Sequence, residues 1–219
     1  MIMAADNLPF KKVMIPSKTH NRAEQQYSGR LNQFRAAFPS ILEPAPFPRR
    51  CLYIGAKVYE PGSKRGFQIG ADLVEAGWIV DILEAHRPNA ESFHRFKTPE
   101  GSVRPGVIVG DVRRIQEVVP AIPQYDAILW YHGPEHVERS EIPPVLVELK
   151  RRTRGLLVVA CPWGRYKQGP VEDNEHERHL CHLDELDMEE LGLQWTAIGR
   201  KNSPRNNNLM GWAYTDEEV

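Results

Sequence analysis

Cys51-Leu52-Tyr53-Ile54-Gly55 is a short apolar run that stops abruptly at a glycine, and Trp78-Ile79-Val80-Asp81-Ile82-Leu83-Glu84 repeats the pattern with an acid at its end. Runs of this length, bounded by breakers, mark strands buried on both faces, where no polar alternation survives. Between them, Phe67, Gly70, Ala71 and Val74 recur at helical spacing within residues 64–76, and Gly77 supplies a stop. Strand, helix and strand joined by short connections favour a parallel sheet covered by helices.

The pattern continues toward the C-terminus. After a loop rich in Pro, Asn and charge over residues 86–105, a third strand, Val107–Val109, stops at Gly110-Asp111. A short helix carrying Val112, Ile115 and Val119 on one face leads to a fourth strand, Ala127–Tyr131, which ends at His132-Gly133-Pro134. Ile142, Leu146 and Leu149 stripe the next helix, whose first turn tolerates Pro143 and Pro144. Leu156–Ala160 is the most apolar strand, and Pro162-Trp163-Gly164 breaks it. A polar insertion follows. Then comes a helix capped by Asp184, with Leu183 stapled onto Met188 and an end at Leu191-Gly192. Two late strands, 194–198 and 209–214, pair as a hairpin across the basic turn Arg200–Arg205. The predicted fold is α/β: a Rossmann-like, doubly wound, mostly parallel seven-stranded sheet with helices on both faces and an antiparallel C-terminal hairpin.

Upstream, residues 1–20 lack periodicity and read as an arm. Tyr27, Leu31, Phe34 and Phe38 share one face of a helix over residues 21–38. Pro39, Pro44, Pro46 and Pro48 then make a stiff connector. Residues 1–48 are expected to be an appendage on a main domain spanning 49–219.

The chain has 219 residues with 41% hydrophobic content, enough for one well-filled core. A formal net charge of −1 supplies no field to recruit nucleic acid or anionic lipid. Locally the balance shifts: residues 1–50 carry eight Lys or Arg against three acids, and residues 171–190 carry nine acids against Arg178. Cys51, Cys161 and Cys181 are odd in number and far apart, which argues against a disulfide framework. With Asp6, Lys11 and Lys12 interrupting any signal core and no run long enough to span a bilayer, the expected location is cytoplasmic.

Ligands of an open parallel sheet bind beyond the carboxyl ends of its strands. The residues at those ends are Gly55-Ala56, Glu84, Asp111 and His132. A carboxylate at the second end suits a ribose diol, since it accepts from both hydroxyls; one at the third suits an exocyclic amine. His132, His136 and His179 are candidate bases because imidazole titrates near neutrality. Trp130, Tyr131 and Trp163 are candidate pocket walls, Trp163 foremost because breakers flank it. His176 and His179 sit three apart, but no second cluster completes a zinc-like ligand set and no CxxC is present. The expectation is no metal and an acidic surface loop. Gly62-Ser63-Lys64 lacks P-loop spacing, and no GxGxxG is found.

Over residues 50–214 the chain resembles the class I S-adenosylmethionine-dependent methyltransferases. Cys51–Gly55 is similar to the start of that family's first motif, and Val80–Glu84 to its second strand with the ribose-binding acid. Gly110-Asp111-Val112 is similar to the adenine end of the third strand. Tyr125–Leu129 followed by Glu135-His136-Val137 is similar to the fourth-strand motif and turn of small-molecule members. The resemblance implies S-adenosylmethionine as cofactor, held by Tyr53, Gly55, Ala56, Glu84, Asp111, Val112, Tyr131 and His132. It also implies a transferase acting on a small-molecule acceptor, with residues 1–48 as part of a lid. The family usually has an acid at the position of Tyr53 and glycines at those of Lys57 and Tyr59, so Gly62 or Gly66 is expected to take over the close approach. Two other readings remain: a module that keeps the fold without catalysis, and methylation of RNA or protein. No membrane or nucleic-acid partner is expected, and the sequence leaves room for a homodimer.

Overall fold

A computed structural model describes residues 22–43, 45, 47–61, 64–122, 124–203 and 207–215, with side chains from residue 29 onward. The expected arm over residues 1–20, Gly62, Arg205 and the Tyr27 side chain lie outside these. Among the described residues seven strands form one sheet: β1 (Arg50–Ile54), β2 (Ile79–Glu84), β3 (Gly106–Val109), β4 (Tyr125–Tyr131), β5 (Thr153–Cys161), β6 (Gln194–Ile198) and β7 (Asn208–Tyr214). Their order is β3-β2-β1-β4-β5-β7-β6. The first five run parallel, while β7 is antiparallel to both β5 and β6.

The apolar runs work by alternation, since successive side chains leave a strand on opposite faces. Cys51 and Tyr53 of β1, with Ala127, Leu129 and Tyr131 of β4, enter one hydrophobic cluster. Leu52, Ile54, Ile128 and Trp130 enter the cluster on the other face. Two cores on one sheet require helices on both sides. The first cluster also takes Phe34 from helix α1 (Arg22–Ala37), Phe38 just beyond its end, and Leu73 and Val74 from α2 (Gln68–Glu75). The second takes Val145 and Leu149 from α4 (Ile142–Lys150), and Met188 from α5 (Glu185–Glu190).

Two expectations need correction. Residues 86–105 are not all loop: α3 (Arg87–Glu91) and a 3-10 turn (Ser92–Arg95) lie there. Their polar sequence hides the fact that Phe93 and Phe96 pack edge-on against Phe67, with centroids 5.0 and 5.4 Å away. Helix α2 begins at Gln68, later than the periodicity suggests, because Phe67 takes an extended-side φ of −144° just before it.

Helix α1 is tied to the sheet by polar bonds as well as packing. Gln33 Nε2 donates to the Thr196 carbonyl (3.1 Å), and Asn208 Nδ2 donates to Gln33 Oε1 (2.7 Å) and the Tyr131 hydroxyl (3.1 Å). Phe38 stands edge-on to Trp212 at 5.6 Å. Among the described residues no helix is long and apolar enough to cross a membrane.

Candidate active site

The strand order reverses between β1 and β4, and beyond the carboxyl ends of these strands opens a cleft of about 400 Å³. That is where an open α/β sheet places its ligand, and the volume is in the range of small-molecule sites. Tyr53, Gly55, Ala56, Glu84, Asp111 and Val112 line one half. Tyr131, His132, His136 and His179 line the other.

The first half is organised by backbone. Gly55 ends β1 at φ +76°, a conformation glycine adopts without penalty, and a Cβ built there would meet no protein atom within 4 Å. Glu84, at the end of β2, is 6% exposed. Its Oε2 accepts from the Ala56 amide (3.0 Å) and its Oε1 from the His86 amide (2.8 Å). Burial pushes the Glu84 carboxyl above its ordinary pKa, against the pull of those two amides. Asp111 faces the cleft from the end of β3 but is already occupied. It caps the following 3-10 turn by accepting from the Arg113 amide (2.9 Å), and it forks with the Arg113 guanidinium. Partial burial would raise its carboxyl pKa; the hydrogen bonds from Arg113 outweigh that and hold it below the usual value.

The second half is organised by side chains. His132 ends β4 at φ +54°, a left-handed conformation uncommon for a residue with a Cβ. Its Nδ1 lies 3.1 Å from Glu135 Oε1. A carboxylate only accepts, so Nδ1 carries the proton and Nε2 presents a lone pair. That Nε2 is buried without a hydrogen-bond partner among the described residues. Burial, then the nearby Arg30 cation, pushes the His132 pKa down, so the ring is neutral at neutral pH. Glu135 is fully desolvated, which alone would raise its pKa, yet the hydrogen bond from His132 leads the opposing influences, which together hold the carboxyl below its usual value. Its Oε2 is also buried without a partner.

The insertion after β5 closes this half. The Leu180 amide donates to the Glu135 carbonyl (2.8 Å), and the His179 amide to that of Gln168 (3.0 Å). His176, Glu177 and His179 therefore wall the cleft, where the sequence suggested a surface loop. His136 and His179 stand edge-to-face with centroids 4.9 Å apart. The sequence reading places Glu135 in the Glu135-His136-Val137 turn but assigns it no role in the site. The available signal was its place, within a turn, just after an unbroken apolar strand.

No protein-family model matches the chain, and no curated protein matches its sequence. Solved structures do match by shape. The magnesium protoporphyrin IX methyltransferase of Synechocystis PCC 6803 with bound SAM superposes with a TM-score of 0.56 at 12% identity, over 91% of this chain and 86% of that one. The DhpI–SAH complex gives 0.55 at 14% identity, over 86% and 83%. A SAM-dependent methyltransferase from Archaeoglobus fulgidus gives 0.51 at 12%, over 85% and 94%. This chain has the class I methyltransferase fold.

Within that methyltransferase fold, the loop after β1 is the part that departs from expectation. Lys57 and Tyr59 both reach the cleft. Lys57 Nζ stands 4.5 Å from the Tyr59 ring centroid and 3.9 Å from both Glu172 and Glu177 across the mouth. Gly66, φ +82°, also lines the cleft, but a Cβ there would lie 2.5 Å from the Lys57 carbonyl and 2.9 Å from the Tyr59 ring. Its bareness lets the loop fold back on itself. Trp130 and Tyr131 line the cleft, whereas Trp163 does not: its indole N–H donates to Glu185 Oε2 (2.9 Å), and the ring packs against the second core. The breakers around Trp163 turn the chain away from the strand end instead of exposing the ring there.

Proposed function

We propose that this chain is a methyltransferase that uses S-adenosylmethionine and acts on a small-molecule acceptor. The observation that carries the reading is the Glu84 carboxylate. It is buried at the second strand end, is fixed by two backbone amides on one side, and faces a cleft whose floor at Gly55 is open. Fixed this way, its remaining lone pairs are aimed for a ribose diol. The open space over Gly55 lets a ligand approach the backbone closely. Because Arg113 occupies the Asp111 side chain, the backbone at Val112 is left as the contact for adenine.

Bound S-adenosylmethionine supplies a methyl group activated by a sulfonium. The protein's task is to align the acceptor and keep water out. His132 Nε2 carries the ring's lone pair, but it is buried and its pKa is pushed well below the usual imidazole value. His132 is therefore a weak base that shapes the acceptor side of the cleft, and the proton that a hydroxyl or amine acceptor gives up passes to water. Glu135 holds the His132 ring in that tautomer. Tyr131 contributes an aromatic wall. Arg30 and Leu31 of α1 also line the cleft, which supports the N-terminal helix as part of a lid over the acceptor.

One observation favours a rival reading, a binding module without catalysis: Lys57 lies where family members have glycine. Calorimetric titration with S-adenosylmethionine and S-adenosylhomocysteine separates the two. Binding of both is expected; folded protein that binds neither defeats the methyltransferase reading. RNA or protein methylation draws less support, because basic side chains that would form a common face are paired locally. Lys201 meets Asp184 and Glu185, Arg35 meets Asp72, and Arg50 meets Asp81.

A further inference from the structure

The turn after β4 and the insertion after β5 bring three metal-ligating side chains together from distant parts of the chain. One donor atom each from Glu135, His136 and His179 lies within 4.8 Å of the others. His136 Nε2 is 3.9 Å from Glu135 Oε1. All three residues line the same cleft.

The hydrogen bonds behind the imidazoles fix which nitrogen faces the cluster. His136 Nδ1 is 3.1 Å from the Arg178 carbonyl, and His179 Nδ1 is 2.7 Å from the Tyr166 carbonyl. A carbonyl can only accept, so both Nδ1 atoms are protonated and both Nε2 atoms carry lone pairs. An imidazole whose N–H is held by a backbone carbonyl is the usual support of a metal-binding histidine. The Glu135 carboxylate adds charge: its side chain is 3% exposed, one oxygen accepts from His132, and the other is buried without a partner among the described residues. A buried carboxylate beside two imidazole lone pairs, with its second oxygen left orphaned, is an incomplete polar cluster, and a cation completes it.

We propose that Glu135, His136 and His179 bind a divalent transition-metal ion. Two imidazoles and one carboxylate suit zinc, cobalt, manganese or iron better than magnesium or calcium, which prefer all-oxygen sets. At bond lengths of about 2.1 Å the ligand atoms stand roughly 3–3.5 Å apart, so the side chains draw together by about an ångström on binding. Three protein ligands leave coordination positions facing the cleft. Resting on the methyltransferase reading, those positions select an acceptor with an oxygen donor, such as a hydroxyl or carboxylate, held beside His132.

The test uses the full chain, stripped with chelator and freed of it, then titrated with Co2+ while its visible absorption is followed. One equivalent of Co2+ should develop a ligand-field band, which Zn2+ displaces and Mg2+ does not. His179→Gln and His136→Gln should each lose at least about tenfold in Co2+ affinity, with unchanged far-UV circular dichroism. His182→Gln, a neighbour outside the cluster, should bind as the parent does. Because His179 sits on a partly exposed loop, its variant keeps the test valid even if Glu135→Gln fails to fold. Folded parent protein without the band, or a band that persists in both histidine variants, overturns the proposal. Cofactor titration is a separate measurement, so failure of the metal site and failure of the methyltransferase reading are told apart.

Discussion

On the β1–β2–β3 side of the cleft, backbone holds side chains: two amides fix Glu84, the Arg113 amide caps Asp111, and Gly55 leaves its floor bare. On the β4–β5 side, side chains hold side chains: His132 grips Glu135, and His136 faces His179 from across the sequence. The first arrangement is local to each strand end and needs little else of the protein. The second exists once the insertion, α1 and β4 have docked. The difference predicts that the Glu84 half tolerates damage to remote packing, while the His132 half depends on it.

The largest effect should come from Phe34→Ala, which empties a fully buried ring site between α1 and the sheet. A loss of about 3–5 kcal/mol in urea unfolding is expected, in a single transition. A separate early transition with the remainder unperturbed would instead make α1 a detachable cover and break the comparison. Next, Glu84→Ala should weaken S-adenosylmethionine binding by about 1–3 kcal/mol in calorimetry; unchanged affinity in folded protein would misplace the ribose site. Gly55→Ala should cost about 1–2 kcal/mol of stability from its positive φ and should lower cofactor affinity, since its Cβ occupies cleft space.

Asp111→Asn should be milder. Its partly exposed pairing with Arg113 is worth up to about 1 kcal/mol, and cofactor affinity should fall less than in Glu84→Ala. An effect equal to that of Glu84→Ala would restore the Asp111 side chain as the adenine contact. The subtlest test is pH. The Glu84 pKa is raised by burial, so its contribution to stability is present below the unfolded carboxylate value and is lost as pH rises through the folded one. The parent should therefore lose stability relative to Glu84→Ala between acid and neutral pH in urea titrations, and a flat difference would mean the carboxyl is better solvated than its surroundings imply.

Sequence alone set out the sheet. Apolar runs ending at Gly55, Glu84 and His132 mark strand ends because a parallel strand covered on both faces is largely apolar and stops at a residue that turns or solvates the chain. The run before Asp111 forms the edge strand β3, whose Val107 and Val109 stay 40% and 41% exposed. Those are local constraints, readable residue by residue. Tertiary structure decided the rest. It hid α3 behind a polar sequence, spent Asp111 on Arg113, and sent Trp163 to Glu185 instead of the cleft. It also carried His179 over forty residues of chain to the Glu135–His136 turn. Such pairings depend on where whole elements dock, and neither periodicity nor composition encodes that for a pair of residues so far apart.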